Sequence, residues 1–481
     1  MPRFLILIIA LITPPITAAP PTPIPGERAA TYVARYNEWL ETIPMEDRAW
    51  EELQRIDALV REAFGGFRGQ TSNPEDTERW AATVQFIKDH PKVMEAIRTN
   101  AAKPELGMLI CDTKSPQNAF EIIVPQLSMI LRQSELLAAS MIIASEKQGS
   151  AEKQDTAVIL QHARDLYNLS THIPIVSTGI EYAVLSANHK LLTTPILDGT
   201  TNLTIFNLHQ LQELDDLIKS SSQARPLQSI EFDHFGAIDT IFWCYEDSQD
   251  GALTENGAKK VVTILSAYKI ESDIDPESEH ATYNHDDSDR INWIRSSFAP
   301  LDEQLDFVHT YFSMLKSEIS VLPHQIQSSQ CSEMLNNALN DVETLKKYRL
   351  SLLSLPSIDR LLTINTQSST SLNATRLLIA AHRHKLTHGS FPQTLADFDP
   401  TFLTFTPTDL FTGNPLHYRL ADNQPLIYSS GTDRDDDNAR PLLDEDGIPI
   451  DPPPFYPLDP LKEILKNDPQ SIDGDWVLTP S

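Results

Sequence analysis

Asp433, Asp435, Asp436 and Asp437 put four carboxylates within five residues. Like charges held this close disfavour ionisation unless solvent or a cation screens them. Carboxylate oxygens are hard ligands, the kind of which Ca²⁺ takes about six to eight on a flexible backbone. The run Asp433-x-Asp435-x-Asp437, with Asp444 at the twelfth place, matches the start of an EF-hand loop. Asn438 stands where that loop needs Gly, Pro441 falls inside it and no helix flanks it, so an EF-hand is excluded. The four aspartates remain as the candidate metal ligands.

Other residues suggest chemistry less firmly. His280, His285, Asp286, Asp287 and Asp289 lie in the segment 271–290, which holds 8 acids and 1 base. A segment of that charge, with Pro276 and no apolar period, is expected to be a solvated loop. His382, His384 and His388 fall on one helix, and the last two have the i,i+4 spacing of paired metal ligands. No third ligand accompanies them, so they are expected to serve the helix surface and its C-terminal dipole. Ser313-Met314-Leu315-Lys316 spells a serine-lysine pattern without the partner motifs that give it meaning. The sequence contains no phosphate-binding Gly loop, dinucleotide fingerprint, HExxH or GxSxG. No catalytic residue is assigned.

These residues must be carried by some scaffold, and the two helix breakers outline it. Of 34 prolines, 7 lie in residues 1–30 and 14 in residues 391–481. No glycine occurs between Gly257 and Gly389. A long middle poor in both breakers is helical by default. Trp50, Leu53, Ile56, Leu59 and Val60 recur at 3/4 spacing, as do Ile159, Ala163, Leu166 and Leu169. Helices are expected over 46–64, 122–147, 151–172, 174–190, 205–219, 229–245, 259–268, 301–317, 333–353 and 373–388. Helix, tight turn, helix in series makes αα-hairpins, arranged as an irregular bundle or a solenoid. The fold class is therefore mainly α, followed by a small α+β unit with a short antiparallel sheet.

In that last unit, Gly389 and Pro392 end a helix. Segments 415–420 and 425–430 are expected to be a hairpin with a four-residue loop at 421–424, and 475–479 a returning strand. The order of motifs resembles the globular domain of the major pseudopilins of type II secretion systems. Gly389-Ser390-Phe391-Pro392 matches that family's helix-ending step. Asp409 through Tyr418 matches its turn and first strand, and Tyr428-Ser429-Ser430-Gly431-Thr432-Asp433 its second strand end. Leu410 replaces the family's Pro and Arg434 its Gly. The likeness covers about 110 residues, and a helical region of more than 300 residues stands where the family has its polymerising helix. The whole arrangement is similar to large exported proteins of planctomycete-type bacteria. The resemblance implies calcium as the cofactor, held in the loop after the second strand, which here carries Asp433, Asp435, Asp436 and Asp437.

The N-terminus has the n-h-c pattern of a secretory signal: Arg3, an apolar run from Phe4 to Ile12, then Thr17-Ala18-Ala19. The expected plan is a signal peptide at 1–19, a Pro-rich linker at 20–27, a helical domain at 28–365 and the pseudopilin-like domain at 366–481. Export places the chain in the periplasm or cell envelope, with anchoring by an uncleaved N-terminal segment as the competitor. No run of 18 apolar residues is present, so no transmembrane helix is expected in the mature chain. Cys111, Cys244 and Cys331 allow at most one bridge, and three buried thiols are expected. The net charge of −29 excludes nucleic acid as a main partner. Residues 391–481 hold 17 acids and 5 bases, so 12 of those charges fall in this unit. The expected function is a non-enzymatic interaction or scaffold protein whose partner is an envelope protein or secretion-machinery component. The alternative is an envelope hydrolase with a carboxylate-based site.

Overall fold

The computed structural model describes residues 20–24, 26–64, 77–108, 119, 126–146, 156–173, 179–221, 230–267, 288–444, 446–468 and 471–479. The signal segment, Cys111 and the acidic-loop residues His280, His285, Asp286 and Asp287 lie outside these, as does the side chain of Asp289.

The chain is mainly helical with one small antiparallel sheet. Eight helices come first: α1 (Ala29–Glu41), α2 (Trp50–Phe64), α3 (Thr77–Asp89), α4 (Pro91–Ala101), α5 (Gln126–Glu146), α6 (Thr156–Thr171), α7 (Gly179–Leu197) and α8 (Leu208–Ser221). Then follow α9 (Ile230–Tyr245), α10 (Glu255–Ala267), α11 (Ser288–Ser297), α12 (Leu301–Ile319), α13 (Gln330–Asn340) and α14 (Val342–Leu353). The C-terminal part holds α15 (Ile358–His388), β1 (His417–Ala421), β2 (Gln424–Ser429), α16 (Leu458–Asn467) and β3 (Trp476–Val477).

Apolar spacing explains the burial. Ile159, Ala163, Leu166 and Leu169 of α6 are all fully buried. On α2, Leu53, Ile56 and Val60 are buried, but Leu59 of the expected stripe is 37% exposed. The segment expected as one helix over 333–353 is two. Asp341 interrupts it, because its carboxylate accepts the Thr344 N–H at 2.9 Å and so caps α14. Segment 126–145 of α5 is long and apolar enough to cross a membrane, with a mean hydropathy of 1.3. Arg132 and Glu135 interrupt its apolar character, and 61% of it is buried inside the protein against neighbouring helices.

α15 organises the rest. Ser357 caps its start, and Gly389, at φ 84°, closes its end by donating its N–H to Lys385 O. The helix runs unbroken across the 365/366 position where composition placed a domain boundary. Residues 374–381 are buried on every side, not on one stripe. The cause is double coverage, since α7 and α8 pack on this helix and so does β2. Arg376 on α15 donates to Asp215 on α8 at 2.8 Å across a separation of 161 residues. Such returning contacts make the body an irregular bundle, because a solenoid joins only neighbours.

The sheet order is β1-β2-β3, antiparallel throughout. Ala421 pairs with Gln424, so the hairpin loop is the two residues Asp422 and Asn423, not four. Their φ values of 47° and 64° are the left-handed pair that a type I′ turn requires. Beneath the sheet, Phe411, Phe455 and Trp476 pack edge-on or tilted and are buried. Each such side chain contributes on the order of 2 kcal/mol.

Candidate metal centre

The Asp-rich loop leaves β2 through Gly431, and left-handed residues shape it early and late. Arg434 has φ 68° and Asn438 has φ 58°. Arg434 thus holds a left-handed backbone although it carries a full side chain. Its side chain turns inward, donates to Tyr456 O at 2.7 Å and lies 5.4 Å from the Phe455 ring centre. Burial pushes its pKa down to about 10.

With Arg434 turned in, the flanking acids converge elsewhere. Asp433, Asp435, Asp437 and Asp473 each offer a carboxylate oxygen, and these oxygens all lie within 4.8 Å of one another. This cluster of four acids can hold a metal ion. Asp433 is its buried floor, at 8% exposure. The Gly474 N–H donates to Asp433 Oδ2 at 2.9 Å and the Asp435 N–H to Oδ1 at 3.3 Å. Burial, with Asp435 nearby, pushes the Asp433 pKa up to about 7. Asp437 Oδ2 is shut off from solvent without a hydrogen-bond partner. Arg440 closes the outer edge, 2.6 Å from Asp437 and 2.8 Å from Asp473. Four carboxylates against one guanidinium leave a local excess of negative charge. A buried carboxyl held partly protonated and a buried orphan oxygen are both what an oxygen-binding cation would relieve.

Three of the four expected ligands are brought together, and one is not. Asp436 accepts from Tyr428 Oη at 3.1 Å and from the Asn438 N–H at 2.9 Å. Its other oxygen lies 3.5 Å from His417 Nδ1. These contacts hold it apart from the other three. Asp473 takes the fourth place, from a segment 36 residues beyond Asp437, and only the fold reveals it. Asp444, the would-be twelfth ligand, instead accepts the N–H groups of Asp446 and Ile448 in its own turn.

The family-like motif around Asp409 is a separate fixture. Asp409 is fully buried and accepts from Phe411 N at 2.9 Å and Ser430 N at 3.0 Å, joining the turn to the end of β2. Burial raises its pKa. Leu410, where the family has Pro, uses the N–H that Pro lacks to reach Thr370 Oγ1 at 3.3 Å.

The other candidates have structural duties. His384 Nδ1 accepts the Asp399 N–H at 3.3 Å, and His388 Nε2 lies 3.4 Å from Asp399 Oδ2, so the two histidines hold the turn after α15. His382 packs edge-on against Phe391. Lys316 pairs with Glu231 at 3.0 Å. Cys244 and Cys331 are buried and free.

No family model, no curated protein and no solved structure matches this chain.

Proposed function

We propose that the C-terminal module is a non-enzymatic interaction unit of an exported envelope protein, fastened by calcium. The observation that carries this reading is the convergence of Asp433, Asp435 and Asp437 with Asp473. Two ligands on opposite sides of a Ca²⁺ ion are roughly 4.8 Å apart, given Ca–O distances of about 2.4 Å. Oxygens lying within 4.8 Å of one another therefore fit one such coordination sphere. The donor set is all carboxylate, which suits Ca²⁺ and not a metal that seeks nitrogen or sulfur. A bound ion would tie the 433–437 loop to the returning segment that leads into β3. Its role is structural: it sets the shape of the module's surface.

The secretory pattern at residues 1–19 supports export, and the pseudopilin-like order of motifs supports an envelope or secretion-machinery partner. The carboxylate-hydrolase alternative draws less support. In the cleft between α7, α15 and β3, the carboxylates of Asp198 and Asp451 already accept from Thr200 and from Trp476 Nε1. Calorimetric titration of the full chain with CaCl₂, and recovery of partners from the envelope fraction with and without chelator, test the proposal. Calcium is expected to raise the melting temperature and the partner yield. If chelator changes neither, calcium has no part in this module.

A further inference from the structure

The helical body holds a second site, independent of the acidic cluster. We propose that Ser140, His162 and Asp165 form a nucleophile, base and orienter that hydrolyse short-chain carboxylic esters. Ser140 lies on α5, and His162 and Asp165 lie on α6, which packs along it. Ser140 Oγ is 2.9 Å from His162 Nε2. For Ser140 to donate, the ring proton must sit on Nδ1. Nδ1 faces Asp165 Oδ2 at 3.9 Å, and both atoms are buried with no other hydrogen-bond partner. A closure of about 1 Å would satisfy both at once, and such bonds are commonly long before substrate binds. Asp165 is itself oriented: Gln161 Nε2 donates to its Oδ1 at 2.8 Å, and Arg164 holds Gln161 in turn.

Ser140 and His162 open into a cavity of about 510 Å³. Ile87, Pro91, Met94 and Val158 give it an apolar wall, and the ion pair of Arg98 with Glu95 lies at its edge. That lining suits a small acyl chain. Burial, with Arg98 nearby, lowers the His162 pKa to about 4, so the imidazole is neutral at pH 7.

The chemistry balances without a cofactor. Ser140 Oγ bonds to the ester carbonyl carbon while its proton passes to His162 Nε2. The tetrahedral adduct collapses, the C–O bond to the alcohol breaks, and the Nε2 proton leaves with the alkoxide. Water then attacks the acyl-serine, giving its proton to Nε2. Ser140 regains that proton as the carboxylic acid departs.

The test uses the full chain with p-nitrophenyl acetate and butyrate, and with a fluorophosphonate label located by peptide mass spectrometry. Expected are label on Ser140 and ester hydrolysis about 100-fold above that of S140A and H162Q. D165N, as a positioning change, should lower kcat with KM nearly unchanged. V158W, on the exposed rim, should block labelling without touching the buried array, which covers the case in which H162Q fails to fold. Absence of label on Ser140, or hydrolysis equal in wild type and S140A, overturns the proposal. Calcium binding at the C-terminal cluster is read by separate signals and is unaffected by either result.

Discussion

The backbone N–H of Gly474 donates to Asp433 Oδ2 at 2.9 Å, joining segments 41 residues apart in sequence. Gly474 has φ 147°, and a Cβ there would stand 2.6 Å from the Leu442 backbone nitrogen. Gly474→Ala must therefore push the returning segment away from the acidic loop. The expected cost is about 1–3 kcal/mol, the usual scale of local backbone strain. Urea denaturation of the variant beside wild type measures it, and an unchanged midpoint would refute the close packing at this point.

The split between Asp436 and Asp473 gives a sharper contrast. D473N removes a converging oxygen, so the calcium-induced rise in melting temperature should fall by more than half. D436N alters a residue bonded to Tyr428 and facing His417, so that rise should persist. Arg440 bridges Asp437 and Asp473, so a bound ion would have to displace it from the same oxygens. R440Q should therefore lower stability in chelator and tighten calcium binding. Differential scanning calorimetry with CaCl₂ and with chelator reads all three variants. Equal losses in D436N and D473N would contradict the geometry.

Those two residues also show what the sequence could reveal. Asp433, Asp435 and Asp437 are legible because they lie within five residues of one another. Asp436 is drawn in by the same closeness, but its bonds with Tyr428 and Asn438 hold it apart. Asp473 carries no local signal, since its role depends on a chain return fixed by β3 pairing. The helices were legible where one face is buried, as with Ile159, Ala163, Leu166 and Leu169. α15 was legible only in its second half, because two buried positions of its first half are the polar Thr366 and Thr370 and its cap, Ser357, lies far upstream. Ser140 and His162 lie on different helices, so no spacing rule joins them.

The buried pair of Arg376 and Asp215 fastens α15 to α8. Arg376 also stacks 3.8 Å from the Phe405 ring centre. Removing only the acid leaves a guanidinium buried without its counter-charge. D215A is expected to cost roughly 3–5 kcal/mol. The double variant D215L/R376M removes both charges and should recover much of that loss. Guanidinium denaturation of the single and double variants checks the ordering. A single variant as stable as wild type would mean that this contact does not hold the two helices together.

His172 supplies a pH response of definite sign. It is 3% exposed, and its Nε2 lies 2.9 Å from Lys103 O, which it serves as an N–H donor. Burial lowers its pKa below the ordinary value of about 6.5. The unfolded chain therefore binds a proton below that pH more readily than the native chain does. Stability from this group is complete above about pH 6.5 and is lost as pH falls through the depressed native pKa. Other buried groups titrate in the same range, among them Asp165, whose pKa burial pushes up to about 6, with the opposite sign. The informative quantity is therefore a difference. Between pH 7.5 and pH 5, the melting temperature of H172Q should fall by less than that of wild type, because glutamine keeps an N–H donor and takes up no proton. Parallel curves for the two proteins would show that His172 is not held neutral in the native state.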